Sequence, residues 1–370
     1  MKNTRRIYFF VWFATIILIS SFASCGSGKT NGQPEGEATS TQPLPYQIVA
    51  TPTKDISLEF DVLTDQNVYN IEMLNESSLP GAYDLAWTPD GRFLAVSAAE
   101  PNPGVTFYSR GSLQVQTAFL TPPQGPIAIS KGGRYIAIPS TNMNIYIWDL
   151  NNGSQVQVLK GHQSDIISID FSPQEDSLAS ISNDGNLRLW YLSTGKTYQN
   201  SMLPSSSTGA AYMPAGKTVA AVELSAFTER FWDAETLTEQ KVLSWPEPHP
   251  PVLSDALFTP GDKNIAWIAG NTIQMMVVSS GELGAFYDHE NAVQGAAFSP
   301  DGKILAAATS GFLDGNSSNF IQFWDTEFEA PLSELDLEAK SLSLDFSPDG
   351  RLLSVISADG RIRLFGISLK

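Results

Sequence analysis

Between Leu159 and Leu192 the apolar residues fall into three short runs, each closed by turn-forming residues. Ile166 to Phe171, Leu178 to Ser182 and Asn186 to Leu192 are rich in Ile, Leu and Phe, and Ser172-Pro173, Asn183-Asp184-Gly185 and Ser193-Thr194-Gly195 follow them. Such runs predict β-strands, and such turns predict an antiparallel meander. The pattern recurs along the chain. Thr88, Ser130, Ser172, Met213, Thr259, Ser299 and Ser347 each sit where an apolar run meets a turn, at intervals of 42, 42, 41, 46, 40 and 48 residues. A strand-ending residue follows each in register: Phe107, Trp148, Trp190, Trp232, Val277, Trp324 and Phe365. One repeated structure, and not a series of unrelated domains, is expected.

The residues Gly161-His162, Ser172-Pro173, Asn183-Asp184-Gly185 and Trp190 resemble one unit of the WD-repeat family. The resemblance runs from about Leu63 to the C-terminus and implies an all-β chain folded as a seven-bladed β-propeller. Its last unit lacks an outer strand, because the chain ends at Lys370 soon after the run Arg361 to Ile367. Val68 to Leu74 lies where an outer strand would precede the first unit. It is expected to pair into the seventh blade and close the ring, since an open edge leaves backbone groups unpaired. Leu63 to Asn67 resembles the lead-in of other bacterial WD-repeat proteins; the sequence assigns no role to Ile56 to Val62, for which a capping strand is the plainest reading.

The same resemblance assigns the histidines. His162, His249 and His289 each stand ten residues before the Ser or Thr of their unit. In the family this histidine joins an Asp, a Ser or Thr and the strand-ending Trp by hydrogen bonds. The implied network is His162, Asp184, Trp190 and either Ser180 or Ser182. His289 follows Asp288 instead of Gly, and the unit of His249 has Val277 in the Trp position, which leaves His249 open to another role.

At the start of the chain Lys2, Arg5 and Arg6 precede an apolar run from Ile7 to Ile19, followed by the small polar stretch before Cys25. This is the pattern of a secretory signal, and the run is shorter than the ~20 residues that span a bilayer. Phe22-Ala23-Ser24-Cys25 resembles the lipobox of bacterial lipoproteins, with Phe22 in the usual Leu position. The resemblance implies a lipid on Cys25 and residence in the bacterial envelope outside the cytoplasm. Residues 1–24 are thus read as signal peptide, 25–45 as lipidated cysteine and polar linker, and 46–370 as propeller.

Charge and composition narrow the chemistry. The formal net charge of −17 becomes −20 without Lys2, Arg5 and Arg6, which disfavours nucleic acid and any anionic surface. Cys25 is the single cysteine, so no internal disulfide forms. Asp90, Asp301 and Asp349 sit in Pro-Asp-Gly turns and read as turn residues. Asp314 to Asp325 has spaced oxygen ligands but lacks the sixth-position Gly of a calcium loop. No nucleophile elbow, phosphate loop or zinc spacing is present. No metal, cofactor or catalytic residue is expected.

Departures from the repeat mark the candidate binding residues. Ser244 to Pro251 is a Pro-rich surplus, Gly311 to Asn319 adds seven residues to its unit, and Glu100 to Gly104 is a third irregular turn. By analogy with the family all three emerge on one face. Trp245 is the expected anchor, with Glu247, His249, Phe312, Leu313 and Asp314 beside it. The reading is a non-catalytic scaffold for an envelope protein or peptide. Its alternative is an enzyme or small-ligand sensor using a central channel.

Overall fold

The second strand of each unit decides the architecture. Ser177–Ser182 and Leu352–Ser357 are buried at every position. Side chains alternate between the two faces of a strand, so continuous burial means a sheet covered on both sides. The outer strands are the reverse: Glu72–Ser78 and Thr197–Met202 have no fully buried residue. Sheets that are covered on both faces yet exposed along one edge fit a ring of stacked blades.

The computed structural model describes residues 6–7, 60–101, 103–119, 121, 123–203, 207–213, 215–245, 253, 255–261, 263–313 and 316–368. They form seven antiparallel sheets. Blades one to six take residues 82–119, 128–159, 166–202, 207–244, 255–288 and 292–336 in order, and blade seven takes 341–366 with Glu72–Ser78 as its outer strand. The chain is a seven-bladed β-propeller. Arg6–Ile7 adds a short strand to the inner edge of blade five, against Leu257 and Ala256.

Seven apolar clusters hold the ring, one at each junction between blades. The junction of blades seven and one is packed like the others, with Leu352, Ile356 and Leu364 against Leu85, Leu94 and Val96. Polar links add direction to this packing. The amides of Ile127 and Tyr212 donate across a junction to Asp84 and Asp170 at 3.0 and 2.7 Å, and the Trp87 indole donates to Ser354 at 3.0 Å. Every blade also has a register shift between its third and fourth strands. Such bulges increase local twist, which a propeller blade requires.

The Pro-Asp-Gly turns, which join first to second strands, do structural work on one face of the ring, here called the lower. Asp90, Asp301 and Asp349 accept from Thr88, Ser299 and Ser347 hydroxyls at 2.6, 2.7 and 2.7 Å. Pro89, Pro260, Pro300 and Pro348 lie over Gly133, Gly302, Gly350 and Gly91 of the following blade, where an added Cβ would stand 3.4 to 3.7 Å away. Each turn therefore rests on the next.

The closing segment departs from the sequence expectation. Glu72–Ser78, not Val68 to Leu74, pairs with Arg361–Gly366. Val68–Asn70 forms a 3-10 turn with Val68 buried, opened by the Asn67 side chain accepting from the Thr64 amide at 2.8 Å. The apolar residues were a misleading cue, because an outer strand is the most exposed of its blade. Upstream, Phe60 is buried and makes one bridge to Ser368; residues 56–59 lie outside the described residues.

Candidate interaction face

Loops joining second to third strands, and loops leading from one blade to the next, emerge together on what is here the upper face. The three irregular segments belong to it by topology: one leads from blade four to blade five, and two join the second and third strands of blades six and one. The residues within them fare differently. Ile304–Leu313 and Asn316–Asp325 run ten residues each, against six in the matching strands of blade three. The surplus expected as a loop is thus a continuous ladder, with Phe312 opposite Ser317 and Leu313 opposite Asn316 near its tip. Three further pairs beyond Ser310 and Asn319 extend it by roughly 10 Å. At its base Ser310 donates to Asn319 at 2.8 Å.

Trp245 is not an exposed anchor. Its side chain is 8 % accessible and packs with Phe258, Met276 and Trp267 in the junction of blades four and five; the two indoles are 5.4 Å apart. Its amide donates to Phe227 O at 2.9 Å. Glu247, His249 and Asp314 lie outside the described residues, as does Cys25.

The structure brings His162, Ser180, Asp184 and Trp190 together. The Trp190 indole donates to Ser180 Oγ at 2.8 Å, Ser180 lies 2.7 Å from His162 Nε2, and His162 Nδ1 lies 2.9 Å from Asp184 Oδ2. An indole only donates and a carboxylate only accepts, so Trp190 donates to Ser180 and His162 Nδ1 donates to Asp184. With the imidazole neutral, Nε2 accepts from Ser180 and the protons run one way along the corner. Burial lowers its pKa below the ordinary value, against the opposing pull of Asp184. For Asp184 burial acts upward, but the Gln163 amide and the His162 and Asn186 side chains outweigh it and bring the carboxyl to about 2. Gly161 precedes the histidine because a Cβ there would meet the Trp190 ring at 3.2 Å. Ser182 instead donates to Ser164 O at 2.9 Å.

Other blades solve the same corner differently. In blade six the Trp324 indole donates directly to His289 Nε2 at 3.1 Å, and Nδ1 donates to Asn271 O at 3.2 Å. Burial again lowers the imidazole pKa, with the Asn271 carbonyl opposing. In blade two the Trp148 side chain is only partly buried, and its indole N–H is inaccessible and has no hydrogen-bond partner.

Blade seven replaces the histidine corner with an ionic one. Leu337 stands at the histidine register, Asp359 at that of Asp184 and Arg363 at that of Arg188. Arg363 is 3 % accessible across its side chain and reaches Asp359 at 2.6 Å, Glu338 at 3.1 Å and Glu76 at 3.6 Å. Arg361 also pairs with Glu76. Because Glu76 lies on the closing strand, these contacts join the two ends of the folded chain. The register of Asp359 was visible in the sequence; that Glu76 would face it depended on the pairing of Glu72–Ser78.

All of these groups serve the frame. Among the described residues, no group of three His, Cys, Asp or Glu side chains is placed to hold a metal.

A family model described as WD domain, G-beta repeat, matches residues 153–191, 280–325 and 337–365. Over these three segments the β-propeller is similar to WD-repeat proteins. Within this propeller the matched segments hold His162, His289 and Arg363, so the recognisable repeats include both kinds of corner. The serine-threonine kinase receptor-associated protein of Gallus gallus is 26 % identical over 158 residues, covering 41 % of this chain and 41 % of the relative. Periodic tryptophan protein 2 of Arabidopsis thaliana is 26 % identical over 205 residues, 54 % of this chain and 22 % of the relative. A WD repeat-containing protein of Synechocystis is 30 % identical over 115 residues, 30 % of this chain and 32 % of the relative. The WD-repeat likeness thus covers about two fifths or less of each relative's length.

Proposed function

We propose that this propeller is a non-catalytic WD-repeat scaffold, exported and held to a bacterial membrane by a lipid on Cys25, that carries an envelope protein or peptide on its upper face. The observation that supports this reading most is the blade-six hairpin, whose strands outrun those of blade three by four residues each. A ladder lifted clear of a rigid ring offers binding positions without disturbing the blades. Phe312 and Leu313 lie in its last pairs, where a partner would meet them first. The histidines of blades three and six are engaged in the frame, which favours binding over chemistry.

Crosslinking in membranes tests the scaffold. A variant joining Ser310 to Asn319 by a two-residue turn should lose a partner that the parent captures, with an unchanged melting temperature. Capture that survives trimming would remove the hairpin from the site, and turnover of a substrate by purified protein would overturn the non-catalytic reading. The anchor has its own test. Labelled fatty acid should enter the parent and not Cys25→Ser, which should leave the membrane fraction; label or membrane retention in Cys25→Ser would refute attachment at that residue.

A further inference from the structure

Eight arginines follow residue 60, and seven of them pair with an acid. Arg188 does not. Among the described residues it forms no ion pair and donates no hydrogen bond, and its Nε is inaccessible. A buried polar group left without a partner calls for a reason.

Blade seven supplies the comparison. Arg363 occupies the same register and meets Asp359, Glu338 and Glu76. Each of these acids has a counterpart in blade three that does not serve Arg188. Opposite Arg188 the outer strand has Asn200, where Glu76 is opposite Arg363. Gln163 stands at the register of Glu338. Asp184, at that of Asp359, is engaged by the His162 ring and the Gln163 amide. Blade four fills the register differently, with Arg230 paired to Glu223 and Glu239. Two arginines at this position are thus closed by the chain's own carboxylates, and the third is left open.

The opening is on the upper half of blade three, where Arg188 follows the start of the third strand at Asn186. Gly161 leaves room for the guanidinium, since an added Cβ would stand 3.5 Å from its Nη1. Asn200 and Gln163 are exposed, as is Lys160, which brings a second positive charge beside Gly161 in the chain. The acidity of the whole chain repels an extended anionic surface. That field is screened beyond about 8 Å at physiological salt, whereas a guanidinium grips a single carboxylate at hydrogen-bond distance.

We infer that Arg188 is the centre of a carboxylate-binding site on the upper rim of blade three, which takes an aspartate or glutamate side chain from a partner polypeptide. The terminal nitrogens offer the parallel N–H donors that a carboxylate fits, and the Asn200 and Gln163 carboxamides can add donors. The assignment rests on blade three alone and is independent of what the blade-six hairpin binds.

The test uses the full chain in detergent, acetyl-Ala-Glu-Ala-amide and its Gln analogue as probes, and saturation-transfer NMR. The parent should bind the Glu probe about tenfold more tightly than the Gln probe, as a charged hydrogen-bonded pair requires. Arg188→Gln should abolish that preference without lowering the melting temperature, because it strands no acid. Asn200→Glu gives blade three the acid that Glu76 gives blade seven. It should raise the melting temperature and weaken the Glu probe as much as Arg188→Gln does; if Arg188→Gln fails to fold, this variant decides. The variant that joins Ser310 to Asn319 should bind the Glu probe as the parent does, whatever becomes of the hairpin's own partner. Equal binding of the two probes to the parent, a preference that survives either substitution, or its loss on trimming the hairpin would each overturn the assignment. Tighter binding of acetyl-trialanine through its free C-terminus would overturn the choice of a side chain.

Discussion

Trp324 donates its indole proton straight to His289 Nε2 across 3.1 Å. The corresponding pair in blade three is separated by a hydroxyl, with Ser180 between Trp190 and His162. Ala307, paired with Gln322 as Ser180 is with Arg188, holds the hydroxyl's register in blade six. One corner is therefore relayed and the other direct. Ser180→Ala should lower stability by about 1 to 3 kcal/mol, because it strands two buried polar groups. Chemical denaturation should show that loss, while Ala307→Ser should bring no matching gain because the direct bond already fills the space.

Acid should weaken the ring before it protonates the carboxylates. Burial lowers the folded-state pKa of His162 and His289 from the ordinary 6.5, against Asp184 in one case and the Asn271 carbonyl in the other. The unfolded chain then binds more protons below pH 6.5, so this contribution to stability is full above that value and falls as pH drops through it. Asp184 adds a second loss as pH falls from 3.8 toward about 2. Urea midpoints should fall from pH 7.5 to 5.5, and His289→Gln should flatten the profile in that window. An unchanged profile in the variant would remove His289 from the account.

Arg363 should matter more than a surface arginine. It is nearly inaccessible and meets Glu76, Glu338 and Asp359, whereas exposed ion pairs contribute little. Arg363→Ala should cost about 3 kcal/mol, at the low end for a broken buried pair because the acids left behind can reach water. Arg363→Lys should recover only part, since a single ammonium cannot reproduce the fork. Melting curves of the two variants decide this, and a loss no larger than for Arg92→Ala would contradict it.

Trp245→Ala is expected to act on folding. The ring is buried among Phe258, Trp267 and Met276, and truncating a core Trp costs about 3 to 5 kcal/mol. Calorimetry should register a lower melting temperature, so lost binding in this variant alone would say nothing about contact. A normal melting curve would place the indole outside the core.

The repeat made most of the frame legible. Ile166 to Phe171 is the observed strand to the residue, and the register that linked His162 with Trp190 survives in space. What escaped was set by context. Glu72–Ser78 is polar because it is an outer strand, and its partner is nearly 300 residues away. The stretch from Gly311 to Asn319 has the Gly, Ser and Asn content of a loop, yet the ladder of blade six simply continues through much of it. Trp245 follows a polar outer strand and precedes prolines, and nothing local reveals that Trp267 waits across the junction. Short-range pattern gave the strands; placement around the ring decided which residues were covered.

The closure of blade seven also defines a load path. A pull on the segment before Phe60 reaches the bridge to Ser368 first, followed by the bonds from Asp61 and Leu63 to Ile367 and Gly350 at 3.2 and 2.9 Å. It then reaches the ladder of Glu72–Ser78 against Arg361–Gly366. These contacts carry the force before the remaining blades share it. The end by which the protein would be held is thus also the fastening of its circle, and mechanical tension would be felt there as ring opening.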